Sequence, residues 1–133
     1  MTSAWCLLRR DTGAVVVEDL EIAAGFWSRF VGLQFRASLK PGAGLLLVPC
    51  SSIHTFFVRF PLDVVMIDER GTVVGARRAV KPWRVVLAAR RTHAILEMPP
   101  GGQEIAAGTT LRLARGDGTA SAPPAAVAFL AEV

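Results

Sequence analysis

The sequence predicts a mainly β fold, a compact antiparallel barrel or sandwich with one or two short flanking helices. Three observations predict it. Short β-branched and apolar runs recur at close spacing, punctuated by Gly, Pro and Asp turns. No βαβ alternation interrupts them. Only one stretch before the C-terminal tail carries a helical stripe.

Leu7-Leu8-Arg9 and Val15–Glu18 flank Asp11-Thr12-Gly13, which reads as a hairpin with a Gly-containing turn. Ala23 to Val31 reads as a helix, because Phe26 and Phe30, like Trp27 and Val31, stand four apart and Gly32 follows as a stop. That stripe is core packing. Lys40–Gly44 is a loop, and Leu45–Val48 is a strand closed by Pro49. His54–Arg59 and Leu62–Asp68 read as two strands turning at Phe60-Pro61, where a missing N–H is tolerated. Both faces of the second are apolar, as in a strand covered on both sides. Thr72–Val80, Val85–Ala89, His93–Met98 and Thr109–Ala114 read as further strands, and Gln103–Ala107 as one helical turn. Residues 1–115 form one β-domain; 116–133 are a linker-like segment and a tail in which Ala125–Glu132 reads as a short helix after the Pro pair.

Composition narrows the class more than the chemistry. The chain has 133 residues, 52% of them apolar and 20% charged, which excludes a disordered chain and suffices for one core. No apolar run reaches membrane-spanning length, and the N-terminus has no secretory pattern, so no membrane association and a cytoplasmic location are expected. The two cysteines, Cys6 and Cys50, belong to no CxxC pair and are expected as free thiols; no metal ligand set and no cofactor motif is present. The formal net charge is +4, and Arg70 to Leu96 holds seven cations without an acid. Such a field suits nucleic acid or an acidic protein. The expectation is that these arginines scatter over different faces or pair with Glu18, Asp19, Asp68 and Glu69. Trp83 is the one aromatic residue in the stretch, which is thin support for base stacking.

Candidate chemistry rests on few residues. Asp63 opens the doubly apolar strand and needs a partner there: an arginine among Arg36, Arg59 and Arg84, or backbone amides. Glu97 is the one acid among Ala94, Ile95, Leu96 and Met98. His54 leads into Thr55-Phe56-Phe57. A tight hairpin at Phe60-Pro61 would not bring His54 and Asp63 together.

The run Gly32-Leu33-Gln34-Phe35-Arg36-Ala37-Ser38-Leu39 resembles the opening motif of domain-of-unknown-function family 192. Ile53 to Asp68, reading IHTFFVRFPLDVVMID, resembles the central signature of that family. Lys81-Pro82-Trp83-Arg84 and Ile95–Gly101 extend the likeness over roughly residues 15 to 113. Departures fall on apolar positions such as Gln34 and Val58 and leave the polar set intact. The resemblance implies a compact β-barrel or sandwich with a short helix or two, and implies no activity. It singles out Arg36, His54, Thr55, Arg59, Asp63, Arg84 and Glu97 as ligand-binding candidates. The leading expectation is a small polar or anionic ligand in a cleft lined by Arg, His and Asp. The alternatives are a hydrolase- or isomerase-type enzyme using His54 with Asp63 or Glu97, and nucleic-acid or acidic-protein binding through Arg70–Arg91.

Overall fold

A computed structural model describes residues 5–25, 29, 32–34, 36–116 and 123–131. The apolar runs form nine strands: β1 (Trp5–Arg9), β2 (Val15–Ala23), β3 (Ala43–Leu47), β4 (Ser52–His54), β5 (Leu62–Ile67), β6 (Val73–Val80), β7 (Val85–Leu87), β8 (Ala94–Met98) and β9 (Leu111–Arg115). A 3-10 turn, η1 (Ala125–Leu130), follows them.

Seven strands share one sheet in the order β6-β5-β8-β3-β2-β1-β9, and β4 with β7 makes a second, two-stranded sheet. All ladders are antiparallel except β2–β3, which is parallel. The mainly β expectation holds, and this one parallel pair makes the large sheet mixed rather than antiparallel throughout. The large sheet is not closed by a ladder, but its two edges meet at one end. There Thr72 bridges Thr110, and the Val73 amide donates to the Thr109 carbonyl at 2.8 Å.

The alternation of β5 and β8 explains the layering. Side chains alternate across a strand, and here both sets are buried. Val65, Ile67, Ala94 and Leu96 join one core with Leu7, Val17 and residues from both edge strands, Val73 and Leu111. Val73 and Leu111 come from opposite edges of the sheet, so it curls around this core. Val127 and Leu130 of η1 also belong to this core, fully buried. On the other face Leu62, Val64 and Ile95 meet Leu45, Leu47, Val58 and Leu33 in a second core. Ile53 and Ala88, of and beside the small sheet, pack against it.

The β1–β2 hairpin forms as expected, with Gly13 at φ +76°. Other readings are corrected. Ala23 ends β2 and does not begin a helix. Most of the expected helix, including Phe26, Trp27 and Phe30, lies outside the described residues; the Arg29 amide does donate to the Gly25 carbonyl, four residues back, at 3.0 Å. No hairpin turns at Phe60-Pro61. β4 ends at His54 and pairs with β7, while β5 pairs with β6 and β8. The chain between turns at Phe57, whose φ of +62° is left-handed and incompatible with a strand. Gln103–Ala107 is not helical, and the tail helix is the 3-10 turn.

Asp63 anchors a β-bulge. Leu62 opposes Val80 and Val64 opposes Arg77, so β6 spends two residues, Arg78 and Ala79, opposite Asp63. Ala79 adopts φ +52° there. Its amide, turned out of the ladder, donates to Asp63 Oδ1 at 2.8 Å. Oδ2 lies 3.5 Å from the Arg78 guanidinium. Asp63 is 5% exposed, so the carboxylate is paired as its burial requires, by a backbone amide and Arg78 and by none of Arg36, Arg59 and Arg84. Asp63→Ala should cost about 1–3 kcal/mol in urea unfolding, since it orphans the Ala79 amide. Asp63→Asn, which keeps an acceptor, should cost less. Equal losses for the two variants would show that the Arg78 ion pair, not the amide, sets the value.

Candidate functional site

Glu97 is the least expected residue of the fold. β8 lies between β5 and β3, with Glu97 opposite Val64 on one side and Leu45 on the other. Its side chain shares the face of Ile95, the second core. It is 3% exposed. Among the described residues no group hydrogen-bonds to it. Its oxygens turn instead into a cavity of about 250 Å³, lined also by Arg29, Gln34, Cys50, Ser52 and His54. Burial raises its pKa to about 7, against a smaller lowering by Arg36.

Local structure places the other walls. Pro49 and Cys50 follow β3 through a cis Val48–Pro49 bond. The Cys50 amide donates to the His93 carbonyl at 2.8 Å, and its thiol to the Ser52 carbonyl at 3.1 Å. Burial pushes the thiol pKa up, and nearby Glu97 adds to the rise. The thiol is therefore protonated near neutral pH and is no ready nucleophile. Arg29 donates from one guanidinium nitrogen to the Pro49 carbonyl at 2.8 Å, which ties the two walls of the cavity together. His54 ends β4, and its Nδ1 accepts from the Phe56 amide at 3.3 Å. Among the described residues no group of three His, Cys, Asp or Glu is arranged to hold a metal.

The motif residues divide between this cavity and structural work. His54 and Glu97 line it together. Arg36 forms an ion pair with Glu21 at 2.8 Å and reaches Glu97 through its field. Asp63 sits in a separate cleft with Arg78 and Met98. Thr55, fully buried, is a clamp: its hydroxyl donates to the Lys81 carbonyl at 2.7 Å and accepts the Arg84 amide at 2.8 Å. The Trp83 amide donates to the Thr55 carbonyl at 3.0 Å. The clamp holds Trp83 at φ +64°, with its ring exposed against Phe56 and Phe57 at centroid distances of 5.6 and 4.9 Å. Arg84 and Arg59 are exposed at this surface. Sequence reasoning missed Arg29, Gln34, Ser52 and the cavity role of Cys50. Gln34 stands in the opening motif only as a departure at an apolar position, and Arg29, Cys50 and Ser52 carry no local pattern, because the cavity is assembled across the fold.

Among the described residues the basic stretch forms no ion pair with Glu18, Asp19, Asp68 or Glu69, while Arg78 lies in one cleft with Asp63, and Arg70 and Arg91 line another. Asp19 pairs with Lys40, and Asp68 accepts the amides of Arg70 and Thr72. Among the described residues Arg78, paired with Asp63, is the one cation of the stretch in an ion pair.

The model of the DUF192 family, described as Uncharacterized ACR, matches residues 7–113. The chain belongs to this family. DUF192 relatives include a UPF0127 protein of Pyrococcus horikoshii, 34% identical over 65% of this chain and 76% of its own length. Another, from Pyrococcus furiosus, is 32% identical over 71% of this chain and 84% of its own. Two crystal structures share the fold. A protein of unknown function from Novosphingobium aromaticivorans superposes with a TM-score of 0.68 at 21% identity, covering 81% of this chain and 82% of that one. A protein described as a putative transcription regulator from Sinorhizobium meliloti gives 0.69 at 20% identity, covering 84% and 95%.

Two expectations follow for this DUF192 chain. The carboxyl of Glu97 titrates near 7 when folded and near 4.5 when unfolded. The folded state thus holds the extra proton between those values, and stability falls as pH rises from about 4.5 through 7. The fall amounts to about 3 kcal/mol. Glu97→Gln should remove it, which urea unfolding at several pH values would reveal as a flatter profile; an unchanged profile would place the carboxyl in water. Thr55→Val should cost about 1–3 kcal/mol by orphaning the Lys81 carbonyl and the Arg84 amide, read as a lower urea midpoint. A midpoint within experimental error of the wild type would show that the clamp does not hold the loop.

Proposed function

We propose that the chain binds a small polar ligand in the Glu97 cavity. The observation that carries this reading is a carboxyl, 3% exposed on a core face of β8, whose remaining access is to a cavity that a few heavy atoms can fill. Removing a carboxylate from bulk water is costly, as its raised pKa shows. A ligand that donates an N–H or O–H to Glu97 removes that cost. Leu33, Leu47 and Val58 supply an apolar wall, and Arg29 and His54 supply polar contacts toward the rim. Pockets of this build orient a ligand by a few polar groups and hold it by apolar contact. The carboxyl favours an amine, amide or hydroxyl end at depth over a bare anion, while an anionic end suits Arg29.

The test is a titration with small probes, followed by thermal shift and amide NMR. Ethylammonium and propionamide should perturb residues around Glu97, and propionate should not. Binding of the ammonium probe should strengthen as pH rises through 7, because the cation pairs with the ionised carboxylate. Glu97→Gln should abolish the ammonium response and keep that of the amide. Saturable binding of propionate alone would overturn the reading.

A second reading rests on the same carboxyl. A carboxyl whose pKa burial pushes up to about 7, in a cavity lined also by His54, suits general acid–base catalysis, of the hydrolase or isomerase type. Asp63 is committed to its bulge, so this reading uses His54 with Glu97. It requires turnover with a pH profile that Glu97→Gln alters.

A further inference from the structure

We propose that the outer edge of β7 accepts an extended acidic segment of another protein as an added strand. The register of the small sheet fixes the direction of its backbone groups. The Thr55 amide donates to the Arg84 carbonyl at 2.7 Å, and the Ala88 amide to the Ser51 carbonyl at 3.3 Å. Antiparallel ladders alternate between bonded and non-bonded pairs. Ile53 opposite Val86 is therefore the bonded pair between them. The N–H and C=O groups of Val85 and Leu87 then point away from β4. Among the described residues no strand lies beyond β7 to receive them.

The side chains agree. Val86 is buried, while Val85 and Leu87 are 61% and 78% exposed. Apolar side chains left on an open strand edge invite pairing, and proteins usually blunt such edges with charge, proline or a bulge. The β6 edge is blunted in this way by Arg77, Arg78 and the bulge at Ala79. β7 holds none of these three devices. Beside it Trp83, 57% exposed and set by the Thr55 clamp, extends the apolar surface toward Phe57.

Charge selects the occupant. The segments flanking this edge, residues 51–62 and 80–90, contain four cations, Arg59, Lys81, Arg84 and Arg90, and no acid. Arg59, Lys81 and Arg84 lie next to the aromatic residues and form no ion pair among the described residues. A second copy of this chain would set two such surfaces against each other, and like charge opposes that. Nucleic acid or an anionic bilayer matches the charge but offers no peptide groups to a strand edge. A β-strand carrying apolar residues at alternate positions and Asp or Glu at its ends satisfies the backbone, the exposed side chains and the charge together.

The experiment is an NMR titration of the ¹⁵N-labelled full chain. The probe is a synthetic decapeptide of alternating Val and Thr with Asp-Glu at both ends; the control has Lys-Arg ends. The acidic peptide should shift the amides of Val85 and Leu87 and saturate below about 1 mM. Leu87→Pro removes one outward N–H, leaves the Val86 bonds to β4 in place, and should weaken binding roughly tenfold or more. If that variant fails to fold, the acidic peptide N-methylated at the residues facing β7 makes the same test on the unaltered chain. Arg84→Glu should weaken the acidic peptide and favour the basic one. Several results would overturn the proposal: no saturable shift, binding indifferent to Leu87→Pro and N-methylation, or equal binding of the basic peptide. Proline-insensitive binding to phosphatidylglycerol vesicles or to single-stranded DNA would likewise overturn it and give the face to that ligand.

Discussion

Everything in this fold leans on one constraint: β5 and β8 are covered on both faces. A strand in that position has no solvent side on which to place a polar residue without consequence. Each acid the two strands carry must therefore have a local answer, and the answers differ. Asp63 stands near the sheet edge and is met by a backbone amide released from the ladder by a bulge. Glu97 stands one strand further in, where both neighbouring ladders are complete and no amide is free. Its answer is a cavity. The same physics yields a structural clamp in one case and a candidate binding site in the other.

Much of the fold was legible in the residues. Turn chemistry at Asp11-Thr12-Gly13 marked a real reversal, and unbroken apolar runs marked the central strands. Pairing was less legible. Phe60-Pro61 looked like a hairpin turn because proline suits one, but the left-handed Phe57 ends extended structure earlier and sends β4 to a different sheet. The parallel β2–β3 pair had no local signal, since parallel strands are joined by a crossover whose length resembles any long connection.

For the site, the sequence marked the anomalous residues and not their fates. Glu97 and Asp63 both stood out as carboxylates among hydrophobes. Telling them apart required knowing which one faced a bulge. Thr55 sat in a motif and turned out to serve the backbone of a loop some 26 residues away. Arg29, Cys50 and Ser52 carried no anomaly at all, because a polar residue in a loop is ordinary until the fold brings it against a buried carboxyl. The basic run showed its charge in sequence. Its aromatic companions Phe56 and Phe57 came from a different segment, joined to Trp83 through the Thr55 clamp.

The pairing of β1 with β9 has a consequence for the making of this protein. Its partners are far apart in the chain: the Cys6 thiol meets the carbonyl of Ala114, 108 positions later. During synthesis the first strand emerges long before the strand that covers its outer edge. For that interval the nascent hairpin presents an open ladder and a half-built core, the state in which β-rich chains are most prone to wrong association. Chains that lack β9 would remain in that state, so the quality of the cellular product depends on this one strand being made.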